Sequence, residues 1–90
     1  MIRKTIVFPN HEPLTRSHAA QLVQIASRFD ARIMIEHDAS VVNAKSMLGL
    51  LSLGMDARKE LTLRVDGTDE QAAADAISKL LNEGFEAEKG

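Results

Sequence analysis

Residues 61–65, Leu-Thr-Leu-Arg-Val, alternate strictly between apolar and polar side chains. This alternation predicts a β-strand, because successive side chains of a strand point to opposite faces of its sheet. One face of that sheet must then be buried while the other contacts water, which favours an antiparallel sheet covered on a single side. The chain is therefore expected to fold as two layers, with its helices packed on one face of a sheet.

Other segments supply the remaining strands and the helices. Further strand-like runs, rich in β-branched residues, occupy three places: residues 2–8, 32–36 and 40–43. Apolar residues at three- and four-residue spacing predict a helix over 15–29 and another after Thr68, where Thr68 and Gln71 are expected to form a capping box. A short, almost wholly apolar segment that ends at Gly54 predicts the third helix. The result is an α+β sandwich, a four-stranded antiparallel sheet with three helices on one face.

Composition limits the functions open to this fold. The chain has 90 residues, 44% of them hydrophobic, which fits one domain over residues 1–90. Its 11 basic and 13 acidic residues are mixed along the chain, so we expect neither a nucleic-acid groove nor binding to an anionic membrane. We expect no signal peptide, and no apolar run of the sequence reaches the ~18 residues that a membrane helix needs. A cytoplasmic protein is expected.

The residues that favour metal or redox chemistry are few. The chain has no cysteine, which excludes disulfides, thiolate nucleophiles and cysteine-ligated metals. His11 and His37 lie in predicted loops and are expected at the surface, and no pair of histidines has metal-ligand spacing with a carboxylate partner. We therefore expect neither a metal nor a cofactor.

A serine stands directly before the short apolar helix. Ser46 is expected at its N-terminus, where free backbone N–H groups and the helix dipole favour a phosphate dianion. Serine is also a preferred N-cap in unmodified helices. Two interpretations of Ser46 therefore stay open, a structural cap and a phosphorylation site.

The short helix has almost no polar face. Its periodicity predicts that Leu50 and Leu53 face the core, while Met47, Leu48 and Leu51 face outward. An exposed apolar patch that includes a flexible methionine is typical of an interaction surface. Ordinary surface exposure and extra core packing are the alternatives.

One pattern around this serine is specific enough to indicate a family: Val42-Asn43-x-Lys45-Ser46-x-x-Gly49-x-x-Ser52-Leu53-Gly54. It resembles the regulatory-serine segment of the HPr phosphocarrier family, and the resemblance covers essentially the whole chain. It implies the HPr-like open-faced sandwich and two phosphorylation events. In HPr proteins a histidine relays phosphate from enzyme I to sugar-transport components. A serine, to which Ser46 of this chain corresponds by the resemblance, is modified by an HPr-type serine kinase/phosphorylase. The serine-phosphorylated form acts as corepressor for the catabolite control protein.

The family's histidine motif, Gly-x-His-x-Arg-Pro-Ala, is where this chain departs from the pattern. Aligned without a gap, Thr15 falls on the histidine, Ser17 on the arginine and His18 on the proline. A threonine hydroxyl is a poor nucleophile without a general base, and its phosphate ester does not pass the group on. Thr15 or Ser17 is instead expected to cap the first helix. His18, near a helix N-terminus that keeps its ring neutral, is the alternative phosphate acceptor.

We therefore expect a non-enzymatic HPr-like regulator of the phosphotransferase system and carbon catabolite repression, similar to the Crh-like members that also lack the histidine. Phosphorylation of Ser46 would permit docking to the catabolite control protein or to a metabolic enzyme. The docking surface is expected to comprise Ser17, Ala20, Met47, Leu48 and Leu51. Ser17 replaces an arginine that can pair with acidic groups on the regulator. The alternatives are a phosphocarrier that uses His18, and an unphosphorylated binding module, for which a homodimer through the apolar patch or first strand is one form.

Overall fold

The strands and helices follow one another in the predicted order. The computed structural model describes residues 1–7, 15–53 and 60–83. These residues form four strands and three helices: β1 (Ile2–Val7), α1 (Arg16–Ala26), β2 (Arg32–His37), β3 (Ser40–Asn43), α2 (Met47–Ser52), β4 (Glu60–Asp66) and α3 (Glu70–Glu83). The expectations for Phe8, His11 and Gly54 lie outside the described residues.

The sheet is antiparallel, with its strands in the order β1-β4-β2-β3. Strand β4 lies between β1 and β2, so that Val65 is opposite Ile2 on one side and Ile33 on the other. The alternation in β4 separates the two faces as predicted. Apolar residues of the strand are buried, whereas Thr62 and Arg64 are only half-buried on the outer face.

The hairpin between β2 and β3 has a two-residue turn. His37 pairs with Ser40, and Asp38 between them has a φ of 53°, in the left-handed region that aspartate tolerates. The surface position expected for His37 is wrong. Its side chain is 5% exposed, and its Nδ1 atom lies 3.2 Å from the carbonyl oxygen of Glu60, which gives the buried ring a polar partner.

The three described helices cover the inner face of the sheet. Helix α3 packs on β1 and β4, and α1 contacts both α3 and α2. The fully buried large side chains come from every layer: Leu22, Ile33, Ile35, Leu50, Leu61, Leu63, Val65, Ile77 and Leu81. In the described part of the chain, no helix has the length and apolar character needed to cross a membrane.

Helix α1 is shorter than its periodicity predicts. It ends at Ala26, and the N–H groups of Arg28 and Phe29 donate to carbonyls three residues back rather than four. Such bonds tighten the last turn and end the helix. Phe29 still packs against the core, which explains why the apolar spacing extends past the helix.

The start of α3 also differs from the prediction. The residue that reaches back is Glu70, whose Oε1 accepts the N–H of Gly67 at 3.3 Å, whereas Gln71 donates to Asp75 at 3.0 Å. Gly67 has a φ of 155°, and a Cβ atom there would lie 2.7 Å from the Cα of Ala31. Only glycine permits this conformation and this close approach.

Asp69 joins this region to the chain before β2. Its two carboxylate oxygens accept the backbone N–H groups of Asp30 and Ala31, each at 2.8 Å. These bonds, with that of Asp30 the stronger, hold the pKa of Asp69 below its ordinary value because they stabilise the charged carboxylate.

Candidate functional site

Thr15 is the N-cap of α1. Its Oγ1 atom accepts the N–H of His18 at 3.2 Å, and its own N–H donates to the Nδ1 atom of His18 at 3.3 Å. This reciprocal pair is a capping box in which histidine takes the place that glutamate or glutamine usually occupies. Of the two caps that the sequence allowed, Thr15 is therefore the one used, and Ser17 lies inside the first turn.

His18 lies at the helix N-terminus, as predicted, with a defined ring orientation. Its Nδ1 atom is the acceptor for Thr15, so a neutral His18 carries its ring proton on Nε2. A phosphoryl group on Nδ1 would need the lone pair that this hydrogen bond occupies. The sequence predicts a cap by Thr15 or Ser17 but not the bond from the Thr15 N–H to His18, because histidine is not the usual partner in a capping box.

Ser46 is the N-cap of α2. Its Oγ atom accepts the N–H of Gly49 at 3.1 Å, and its carbonyl accepts the N–H of Leu50 at 3.0 Å, which begins the helix. The side chain is half-buried. A Cβ atom on residue 49 would lie 3.2 Å from Ser46 Oγ and 3.3 Å from Val42 Cβ, so Gly49 leaves the room that the serine side chain occupies.

The residues before Ser46 hold its backbone in place. Asn43 accepts the Lys45 N–H on its side-chain oxygen at 2.8 Å and the Ser46 N–H on its carbonyl at 2.9 Å. The Nζ atom of Lys45 donates to the carbonyl of Phe29 at 2.6 Å, and so ties this turn to the segment after α1. No local pattern predicts this last bond, because its partners are 16 residues apart.

Helix α2 presents a mixture of buried and exposed apolar side chains. Leu50 and Leu53 are 1% and 5% exposed, as predicted, and Leu48 is 82% exposed. Leu51 is exposed to a smaller extent than Leu48, at 37%. The prediction that Met47 faces outward is wrong. Met47 is half-buried and packs against the core, where a flexible methionine side chain can fill irregular gaps.

The residues expected to dock a partner lie on two adjoining helices. Ser17 and Ala20 are half-buried on α1, which contacts α2, where Leu48 and Leu51 are exposed. Both helices begin with a hydroxyl cap. Within residues 1–7, 15–53 and 60–83, no three histidine, aspartate or glutamate side chains are grouped so as to hold a metal ion.

The comparisons with known proteins all identify the same family. A family model described as the phosphorylation site of the HPr component of the phosphotransferase system matches residues 2–83. The phosphocarrier protein HPr of Treponema pallidum is 42% identical over 88 residues, which cover 98% of this chain and all of that protein. The HPr-like protein Crh of Halalkalibacterium halodurans is 40% identical over 77 residues, which cover 86% of this chain and 92% of the relative.

Solved structures of both kinds of relative have this fold. A crystal structure of HPr from Thermoanaerobacter tengcongensis superposes with a TM-score of 0.90 at 38% identity, and covers 98% of this chain and 99% of its own. The crystal structure of Crh from Bacillus subtilis is described as a domain-swapped dimer. It gives a TM-score of 0.76 at 33% identity, and the match covers 97% of this chain and 100% of the Crh chain. The sequence matches and the shared fold together place this chain in the HPr phosphocarrier family.

Proposed function

We propose that this protein is a regulatory member of the HPr family, switched by phosphorylation of Ser46, that does not relay phosphate. Thr15 carries the proposal. The resemblance puts this residue at the family's histidine position, and its hydroxyl side chain caps α1 through Oγ1. Phosphoryl relay needs a nitrogen nucleophile whose phosphorylated form is labile, whereas a threonine phosphate ester would retain the group.

Ser46 supports the regulatory half of the proposal. The kinase would transfer the γ-phosphoryl group of ATP to Ser46 Oγ, with release of ADP and of the hydroxyl proton. The new phosphate would lie where the first turn of α2 leaves N–H groups without intrahelical acceptors, and the helix dipole favours its charge there. Since Ser46 already caps the helix, the phosphate would add charge without requiring the domain to refold.

Docking would use the exposed apolar side chains beside this phosphate. Leu48 is the most exposed large hydrophobic residue described, and Leu51 lies one turn of α2 further on. Ser17 and Ala20 of the adjoining helix would complete the surface, together with the half-buried Met47. The partner we propose is the catabolite control protein or a metabolic enzyme in the cytoplasm, as the similarity to Crh suggests.

The loss of the family arginine should weaken contact with acidic groups on such a partner. Ser17 has no charge to offer there, and a guanidinium paired with a carboxylate is among the stronger polar contacts. The phosphate on Ser46 and the apolar patch would therefore supply more of the affinity than in relatives that keep the arginine. A homodimer, as described for the Crh of Bacillus subtilis, is a further proposal for this chain.

The test is intact-mass analysis after two parallel incubations, one with ATP and an HPr-type serine kinase and the other with phosphoenolpyruvate and enzyme I. We expect one phosphoryl group from the kinase and none from enzyme I. Ser46→Ala and Ser46→Asp should both abolish the kinase product, and the aspartate keeps an oxygen that can cap α2. Ser52→Ala, a serine at the other end of the same helix, is the matched control and should be labelled normally.

Two results would contradict the proposal. Kinase labelling that persists in both Ser46 variants would show that another residue is modified. Labelling by enzyme I that disappears in His18→Ala would identify a phosphocarrier with a relocated histidine, which would have to break the bond between His18 Nδ1 and the Thr15 N–H or react through Nε2.

A further inference from the structure

The outer face of the sheet, opposite the helices, contains a cavity of about 360 Å³. Small-molecule sites in proteins typically enclose ~300–1,000 Å³. The side chains that matter for its chemistry come from three strands: Arg32, Met34, Val41, Asn43, Arg64 and Asp66. None of them belongs to α1 or α2, so this cavity is separate from the surface proposed for docking.

The strand register explains how the cavity forms. Met34 lies at its centre, because β2 pairs it with Arg64 of β4 on one side and with Asn43 of β3 on the other. Its neighbours Ile33 and Ile35 are fully buried against the helices, so Met34 points to the outer face. Val41, two residues from Asn43 along the edge strand, is 51% exposed. The cavity therefore has an apolar floor between polar walls.

The charges around this floor leave one guanidinium without a partner. Arg32 is opposite Asp66 in the register, yet no ion pair or hydrogen bond joins its guanidinium group to any residue in the described part of the chain. Asp66 instead lies 3.8 Å from the amino group of Met1. Arg64 donates to Glu36 at 2.8 Å, so its charge is partly neutralised.

The polarity of the site selects a particular class of ligand. Arginine binds carboxylates and phosphates through parallel N–H groups, and the side-chain amide of Asn43 can add a further hydrogen bond. Two carboxylates lie close by, on Asp66 and Glu36, and they oppose a dianion more strongly than a monoanion. Met34 and Val41 offer apolar contact beside the acidic group.

We propose that this cavity binds a small monoanionic carboxylate with an apolar body, whose acid group pairs with Arg32 and whose body packs on Met34 and Val41. Arg64 and Asn43 orient the carboxylate from the neighbouring strands. The site does not depend on phosphorylation of Ser46, because it lies on the opposite layer of the sandwich.

The test is a titration of ¹⁵N-labelled protein followed by the backbone amide signals, with benzoate as the probe. We expect saturable shifts of Met34, Asn43 and Arg64, with the signals of α2 unmoved. Benzamide, which has the same shape without the charge, should bind about tenfold more weakly, because it loses a charge-assisted hydrogen bond. Phenyl phosphate, as a dianion, should also bind more weakly than benzoate.

The matched variants are Arg32→Gln and Arg28→Gln. Each removes one exposed positive charge, but Arg28 lies after α1 on the helical layer. Arg32→Gln should weaken benzoate binding about tenfold and Arg28→Gln should leave it unchanged. Val41→Asp, on the edge strand, gives a second check, since its carboxylate would repel the probe.

Three results would overturn the proposal. These are the absence of saturable shifts on the outer face, equal affinity for benzoate and benzamide, and equal effects of Arg32→Gln and Arg28→Gln. The first would show that the cavity does not bind carboxylates, and the other two that the Arg32 guanidinium does not select an anion. None of these results bears on Ser46, so this site and the proposed phosphorylation can fail independently.

Discussion

At residue 15, the position where the resemblance to HPr proteins leads us to expect the family's histidine, the chain has a threonine whose side chain has a structural use. Its Oγ1 atom satisfies the N–H of His18, one of the groups that the first turn of α1 leaves without a helical acceptor. His18 in turn satisfies the N–H of Thr15. The reciprocal pair therefore fixes the start of α1 at Thr15.

Replacing Thr15 with alanine should lower the free energy of unfolding by about 1 kcal/mol, because the His18 N–H loses its acceptor. Thr15→Ser retains the oxygen and should cost less than half as much. Urea denaturation monitored by circular dichroism measures both. Ser17→Ala is the control and should be close to neutral, and an equal loss for Ser17→Ala and Thr15→Ala would contradict the assignment of the cap.

At the scale of elements, α2 depends on its surroundings. A six-residue helix is unstable alone in water, because nucleation costs more than so few hydrogen bonds return. Leu50 and Leu53 bury one side of it against α1, β3 and the core, while Leu48 contributes almost nothing to that packing. Packing against the core therefore depends on Leu50 and Leu53, whereas the docking role that we propose for Leu48 belongs to an exposed side chain.

A pair of alanine substitutions separates these roles. Leu50→Ala should lower the free energy of unfolding by about 2–5 kcal/mol, because it leaves a cavity in the core. Leu48→Ala should change it by less than about 0.5 kcal/mol, since the side chain is already in water. Urea denaturation measures both, and similar losses for the two variants would mean that α2 is packed differently.

At the scale of the whole molecule, Asp69 joins parts of the fold that are distant in sequence. Its carboxylate binds N–H groups 38 and 39 residues earlier in the chain, at the entry to β2. The close approach of Gly67 to Ala31 lies beside the same junction. Together these contacts fix the start of α3 relative to the sheet.

The lowered pKa of Asp69 makes this junction sensitive to pH. In the unfolded chain the carboxyl titrates near its ordinary value of 3.8, and in the folded protein it titrates below that. Its contribution to stability is therefore complete above the unfolded pKa and is lost as the pH falls through the folded pKa. Asp69→Asn should lower the melting temperature at pH 7, and the difference from the parent protein should disappear in strongly acidic solution. A difference that is independent of pH would contradict this account.

The sequence by itself determined the order of the elements, the two faces of the sheet and the serine cap of α2. Each of these depends on side-chain periodicity or on hydrogen bonds between residues three or four positions apart, as between Ser46 and Gly49. The pattern around Ser46 also indicated the family, which the comparisons confirm.

The tertiary structure decided where side chains go when their partners are distant in the sequence. Met47 is half-buried against the core and His37 is buried beside Glu60 because of tertiary contacts, which periodicity does not encode. Asp69 and Lys45 likewise bind backbone groups that only the folded chain brings near. The cavity around Met34 follows from strand order, since β3 and β4 must flank β2 before Asn43 and Arg64 can lie on either side of Met34. Periodicity and hydrogen bonds between residues near in sequence determine the helices and strands. Burial in the core and the pairing register of the strands determine which side chains form the surfaces.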